Sequence, residues 1–188
     1  MTNPETATGH GLPHGVRVVR LTTHDDARGS FTELFRDEWD PANRPVQWNL
    51  VHSSAGALRG VHVHRRHTDY LIVIAGSMTL ALHDIRPASP THGASATLQL
   101  AASPLQAVSI PPGVCHGFWF SVPGTHIYSV THYFNMADEL GCRWNSPELG
   151  ATWNIVGEPE LSQRDRTAGS YSAMVAAWKD APHEERGQ

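Results

Sequence analysis

Hydrophobic positions in this chain come in short runs, not in long stripes. Val16 to Leu21, Ser30 to Phe35, Val46 to His52, Tyr70 to Ala75, Ser77 to His83, Thr97 to Leu100, Ala107 to Ile110, Gly117 to Val122 and His126 to Phe134 are rich in β-branched or aromatic residues. Gly, Pro, Ser or Asp, the residues that turns require, separate them. Many short strands at this spacing predict an all-β sandwich or barrel. Ser170 to Trp178 differs: it contains Ala and Met, places its apolar residues on one face and predicts a helix. Residues 1–15 lack hydrophobic periodicity and residues 180–188 are mostly polar, so both ends are expected to be flexible, leaving 16–179 as one domain with a C-terminal extension. There is no internal repeat and no long linker.

A chain of 188 residues fits one domain that can bury a core without disulfide or metal staples. The net charge of −4, a pI near 6.3 and scattered arginines exclude a basic nucleic-acid footprint. Cys115 and Cys142 have no CxxC spacing, no basic-then-apolar leader opens the chain, and no apolar run is long enough to span a bilayer. A reduced cytoplasmic enzyme without a membrane partner is therefore expected. Trp39, Trp48, Trp119, Trp144, Trp153 and Trp178 are expected to be mostly core or interface aromatics.

The segment Arg59-Gly60-Val61-His62-Val63-His64-Arg65-Arg66-His67-Thr68-Asp69-Tyr70 carries the chemistry. On a strand, His62 and His64 share one face. Asp69 follows five residues later and Gly76 seven beyond that; Pro111-Pro112-Gly113-Val114-Cys115-His116 then delivers another histidine past a turn. This spacing resembles the two cupin motifs. Asp26-Ala27-Arg28-Gly29-Ser30-Phe31-Thr32-Glu33, Gln47-Trp48-Asn49, Asp84-Ile85-Arg86, Ser89-Pro90-Thr91, His116-Gly117-Phe118, Tyr128, Glu139 and Ser162-Gln163-Arg164-Asp165 also fall in order. From about residue 16 to residue 167 the chain resembles the dTDP-4-dehydrorhamnose 3,5-epimerase family of cupins.

That resemblance implies a cupin jelly roll with short flanking helices. It also implies a homodimer that inverts C3, or C3 and C5, of a dTDP-4-keto-6-deoxyhexose without a cofactor. His62 would be the base, a role suited to a side chain whose pKa lies near neutrality, and Asp165 would fix its tautomer. Tyr128 would return a proton from the opposite face of the enolate. Arg59 would meet the diphosphate with its planar fork, although three residues before His62 it lies on the opposite strand face unless a bend intervenes. Arg28, Phe31 and Glu33 would hold the nucleotide, partly across the dimer. Gln47, Asn49, His64, His116, Phe134 and Glu139 would complete the pocket. The plainer alternatives are that Asp165 caps or pairs with Arg164 or Arg166, that Tyr128 fills core, and that Arg28 and Glu33 are solvated charges near a turn.

Three positions depart from the family. Asp69 stands where a lysine is usual, and Lys179 is the only lysine in the chain. His64 replaces a glutamine. Phe134 lacks the hydroxyl of the aromatic residue common there. An enolate without a cationic partner loses a large stabilising effect, so Arg59 or a histidine must supply one or the chemistry differs. His62, His64, Asp69 and His116 also form the ligand set of a metal cupin, which gives an alternative: a dioxygenase or isomerase with one divalent transition metal ion. Otherwise His64 and Asp69 bond each other while His67 and the adjacent arginines line a phosphate rim. A sugar-nucleotide-binding cupin without catalysis is the third reading.

Overall fold

The computed structural model describes residues 6, 7 and 11–180. The expected flexibility of the ends therefore falls mostly outside the described residues. In chain order the strands are β1 (Thr6–Ala7), β2 (Arg17–Arg20), β3 (Thr23–Asp26), β4 (Gly29–Thr32), β5 (Gln47–Ser53), β6 (Leu58–Val63) and β7 (Asp69–Ala75). They continue with β8 (Ser77–Asp84), β9 (Ser95–Ala101), β10 (Gln106–Ile110), β11 (Val114–Trp119), β12 (Gly124–Val130) and β13 (Leu140–Gly141). One sheet runs β1-β2-β10-β7-β12-β5 and the other β13-β6-β11-β8-β9, while β3 and β4 form a separate hairpin. The two sheets remain open and make the expected all-β sandwich.

The two-residue period of β7 explains how both faces of a sheet are used. Leu71 and Val73 enter the core between the sheets beside Leu80, Leu82, Val108 and Phe120. Tyr70 and Ile72 point outward and pack with Leu21, Ala107 and the partly buried Leu34, Phe35 and Trp39. A third cluster covers the outer face of the five-stranded sheet. There Leu58, Val61, Val63, Cys115 and Trp119 meet Leu149, Trp153 and Met174. Met174 lies on the helix α2 (Tyr171–Asp180), close to the expected 170–178. No described helix is long and apolar enough to cross a membrane.

Some boundaries differ from the hydrophobic runs. The run from His126 to Phe134 ends as a strand at Val130, because Gln47, at the start of the partner strand, pairs with Val130. The 117–122 run begins pairing three residues earlier, at Val114, immediately after the Gly113 turn and opposite Asp84. Strand β3 was not expected: Thr23-His24-Asp25-Asp26 is polar and exposed, so it carries no apolar alternation.

The register of β6 against β11 places the site. His62 lies opposite His116 and Arg59 opposite Phe118, so Gly60 and Val61 together face Gly117 in a β-bulge. The extra residue sends Leu58, Val61 and Val63 all to the outer cluster. Arg59 and His62 are thereby left on the same, inner side, which supplies the bend required by their spacing. Gly60 has φ +118°, and a Cβ there would lie 2.8 Å from Gly117 Cα. Gly60→Ala is expected to destabilise the fold by about 1–3 kcal/mol, checked by urea unfolding with its m-value unchanged.

Candidate active site

Between the sheets is a cavity of about 90 Å³ lined by Gln47, Asn49, His62, His64, His67, Asp69, Leu71, His116, Phe118, Tyr128, Val130, Phe134 and Glu139. Strand register explains its six-stranded wall. Gln47, Val130 and Asp69 form one cross-strand row, and Asn49, Tyr128 and Leu71 form the next on the same face. His62, His116 and Phe118 come from the opposing sheet. Gln47 Nε2 donates to Asn49 Oδ1 at 2.9 Å, and the Phe134 amide donates to Gln47 Oε1 at 3.1 Å. Asn49 Nδ2 has no protein partner and remains available to a ligand.

Asp165 reaches His62 from the far end of the chain. Ser162 caps the short helix α1 (Gln163–Arg166) by accepting the Asp165 amide at 3.1 Å. The side chain of Asp165 is buried and accepts from His62 Nε2 at 2.7 Å and from the Gly60 amide at 3.4 Å. The surface-pair alternative for Asp165 is therefore corrected, since Arg164 instead binds Glu139, with Nη1 2.9 Å from Oε2. With Nε2–H committed to the carboxylate, His62 Nδ1 is the nitrogen left to take a proton. Burial pushes Asp165 upward, but the His62, Ser162 and Gly60 contacts outweigh it and hold its carboxyl below the ordinary value.

Beside this pair is a cluster of imidazoles and carboxylates. Asp69 Oδ2 lies 4.0 Å from His64 Nε2, 3.7 Å from His67 Nε2 and 3.8 Å from His116 Nε2. These separations exclude direct hydrogen bonds, including the expected His64–Asp69 bond. His64 Nδ1 is 3.1 Å from Glu139 Oε1, but the approach lacks hydrogen-bond alignment. Burial raises Asp69 to about 7 against the pull of His64. Burial also lowers His67 to about 3, with the neighbouring His64 acting in the same direction. For His64, burial is outweighed by Glu139, Asp69 and Asp138, so its pKa rises. Glu139 is held at about 2: burial raises it, but His64 and Arg164 prevail. Burial, followed by Asp69 and Glu139, raises Tyr128 and keeps its phenol protonated.

Some sequence expectations change here. Among the described residues the ligand atoms that lie within 4.8 Å of one another belong to His64, His67 and Asp69, so the expected grouping of His62, His64, Asp69 and His116 is not the one the structure brings together. His67 is buried and not part of a rim, and Arg65 turns to the Ala177 and Trp178 carbonyls. A histidine in a nonperiodic loop gives no sequence signal for such placement. Arg59 donates to Ser53 Oγ at 3.0 Å and to the His52 carbonyl at 3.2 Å, beside the cavity. Arg28, Phe31 and Glu33 do not enter this cavity. Arg28 pairs with Asp26 at 2.6 Å, Phe31 is 63% exposed, and Glu33 pairs with Arg36.

A jelly roll that holds a histidine on one sheet, a carboxylate brought to it by a short flanking helix, and a tyrosine on the facing sheet is a cupin suited to moving protons. The sequence profile described as dTDP-4-dehydrorhamnose 3,5-epimerase matches residues 13–172. A dTDP-4-dehydrorhamnose 3,5-epimerase of Neisseria gonorrhoeae is 34% identical over 157 residues, covering 80% of this chain and 48% of that protein, so this chain spans about half its length. The Mycobacterium tuberculosis rmlC epimerase superposes with a TM-score of 0.82 at 28% identity, covering 94% of this chain and 92% of that one. A 3′-monoepimerase from Streptomyces bikiniensis in complex with dTDP-quinovose gives 0.79 at 28% identity, covering 91% and 89%. The chain belongs to the dTDP-4-dehydrorhamnose 3,5-epimerase family.

The depressed Asp165 pKa has a definite sign in stability. Its contribution is present above the unfolded value of 3.8 and is lost as pH falls through the lower folded value. Asp165→Asn should therefore unfold at lower urea than the parent at pH 7. The gap should narrow below about pH 4, measured by urea midpoints across a pH series.

Proposed function

We propose that the protein is a sugar-nucleotide epimerase acting on a dTDP-linked 4-keto-6-deoxyhexose at C3, or at C3 and C5. The observation that carries this reading is the 2.7 Å His62–Asp165 pair in a cavity also lined by Tyr128. His62 removes the proton next to the C4 ketone, and the C–H electron pair passes into the enolate. Asp165 fixes the working tautomer and balances the imidazolium. Tyr128, kept protonated by burial, returns a proton to the opposite face of the same carbon. Gln47, Asn49, His116, Phe134 and Glu139 hold the sugar, while Arg59 meets the diphosphate near the cavity mouth. No cofactor takes part in this reading. The dTDP-quinovose complex of the similar Streptomyces bikiniensis 3′-monoepimerase supports this ligand class.

The test is solvent deuterium incorporation at C3 and C5 of dTDP-4-keto-6-deoxyglucose. The parent should incorporate label, and His62→Asn should reduce incorporation by about two to four orders of magnitude. Tyr128→Phe should retain label exchange but lose inverted product. No label at either carbon with the parent would reject epimerisation of this substrate and leave a sugar-nucleotide-binding role.

The active unit is proposed to be a cytoplasmic homodimer. Strand β5 is a sheet edge whose outer face leaves Trp48 48% and Leu50 58% exposed. A second copy would cover that face, and the β3–β4 hairpin would offer Arg28, Phe31 and Glu33 to its pocket. Two unpaired buried cysteines suit a reducing compartment. Sedimentation should give twice the 20.6 kDa chain mass, with Trp48→Glu shifting it toward one chain. A monomeric parent would reject the assembly.

A further inference from the structure

We propose that Arg65 is a positioning residue that braces the histidine wall of the pocket against the C-terminal helix α2. Resting on the epimerase reading, the brace sets where the sugar meets His64 and His116. The wall needs outside support because its rings are weakly tethered. His64 and His67 stack with centroids 4.0 Å apart, and the His116 ring lies 5.1 Å from His64. His64 Nδ1 has no aligned partner, and the two His67 nitrogens stand 3.7 and 3.8 Å from carboxylate oxygens of Asp69 and Asp138, too far for hydrogen bonds. His116 Nδ1 meets the Val114 carbonyl at 3.2 Å. The rings therefore take their places from the backbone that carries them, namely the 64–68 loop between β6 and β7 and the 111–113 turn before β11.

Helix α2 is the fixed surface. Met174 is buried in the outer cluster, and the Tyr171 hydroxyl lies 2.9 Å from His83 Nε2 while His83 Nδ1 lies 2.8 Å from Ser95 Oγ. These contacts tie the helix to β8 and β9 without using the pocket loops. The last carbonyls of a helix have no intrahelical donor and form the negative end of its dipole, which favours a cation there. Arg65 occupies that end: Nη2 donates to the Ala177 carbonyl, and Nε donates to the Trp178 carbonyl at 3.4 Å. The Trp178 ring packs on Gly113, where a Cβ would lie 2.9 Å from Cζ2. The Gly113 amide in turn donates to the His64 carbonyl at 2.9 Å. The frame is thereby closed, since one helix end holds both loops and the loops hold each other. Asp138 adds to it by accepting the Arg65 and Arg66 amides at 2.9 and 3.2 Å.

Displacing this frame moves His64 and His116 relative to His62 and Tyr128, and a shift of about 1 Å in how a reacting group is held can cost about 100-fold in rate. The nucleotide end is fastened separately, because Arg59 donates to Ser53 Oγ and to the His52 carbonyl on β5. The two ends of the ligand should therefore respond differently when Arg65 is changed. A planar fork reaches two successive carbonyls, whereas a lysine ammonium is a point charge on a flexible stem, so lysine restores the brace only in part.

The test compares Arg65→Ala, Arg65→Lys and Lys179→Ala in the full chain, the last removing an exposed charge from the same helix end. In Arg65→Ala, amide hydrogen exchange of residues 64–68 and of Gly113 should quicken by about tenfold or more, while the α2 amides keep the parent rate. The kcat/KM for C3 labelling of dTDP-4-keto-6-deoxyglucose should fall by about tenfold or more, with the dissociation constant of dTDP, read by calorimetry, within about twofold of the parent. Arg65→Lys should recover part of both losses, and Lys179→Ala should show neither. Arg65→Lys carries the same measurements if the alanine variant does not fold. Unchanged loop exchange overturns the brace, and faster exchange throughout α2 makes Arg65 a fastener of the helix instead. Equal weakening of dTDP binding, or unchanged labelling with a looser loop, overturns its positioning role. No labelling by the parent rejects the epimerase reading, whereas the loop exchange still decides the brace.

Discussion

Ionisable groups placed between two apolar sheets must find partners, because an isolated buried charge costs several kcal/mol. That constraint organises the structure around His62, His64, His67, Asp69, His116, Glu139 and Asp165. Glu139 is clamped by Arg164, Asp138 receives two loop amides, and Asp165 receives a ring nitrogen and the Gly60 amide. The bulge is part of the same solution. By removing Gly60 from the regular ladder it frees that amide to face Asp165 and keeps Val61 in the outer core. Helix α1, strand β13 and the 135–139 turn therefore support polar residues that the sandwich strands alone could not satisfy.

The contrast between Asp84 and Asp69 shows how sequence spacing decides this. Asp84 is fully buried, yet Arg86 two residues ahead and the Ser89 and Thr91 hydroxyls all donate hydrogen bonds to its carboxylate. Its carboxyl is held well below the ordinary range even though burial alone pushes upward. Asp69 begins strand β7 and projects inward beside histidines, with no arginine in its row. The first carboxylate stabilises a turn. The second leaves the pocket with an electrostatic demand that a ligand can meet.

Much of this fold was legible in the chain because strand alternation is a local property. Tyr70, Leu71, Ile72 and Val73 already sort into two faces, and Gln47 with Asn49 share one by the same rule. The pocket members His62, His64, His116, Tyr128, Phe134 and Glu139 were identified through spacing and family resemblance. Other features depend on nonlocal geometry. A single bulge reconciles Arg59 with His62, and a four-residue helix is too short to show periodicity. His67 acquires its position from loop closure. Arg28, Phe31 and Glu33 stand away from the pocket because they lie on or beside a hairpin that pairs only within itself, a placement that local strand alternation does not reveal.

The His62–Asp165 pair spans 103 residues, with the strand half made early and the helix half made near the end. During synthesis at roughly 5–20 residues per second, about 5–20 s separate the appearance of the two partners. Both sandwich sheets up to Val130 can therefore leave the ribosome with the His62 ring still uncommitted in tautomer. The Gly60 amide likewise waits for its acceptor. Vectorial synthesis thus orders the molecule in time: the container is made first, and the contact that fixes the His62 ring arrives last.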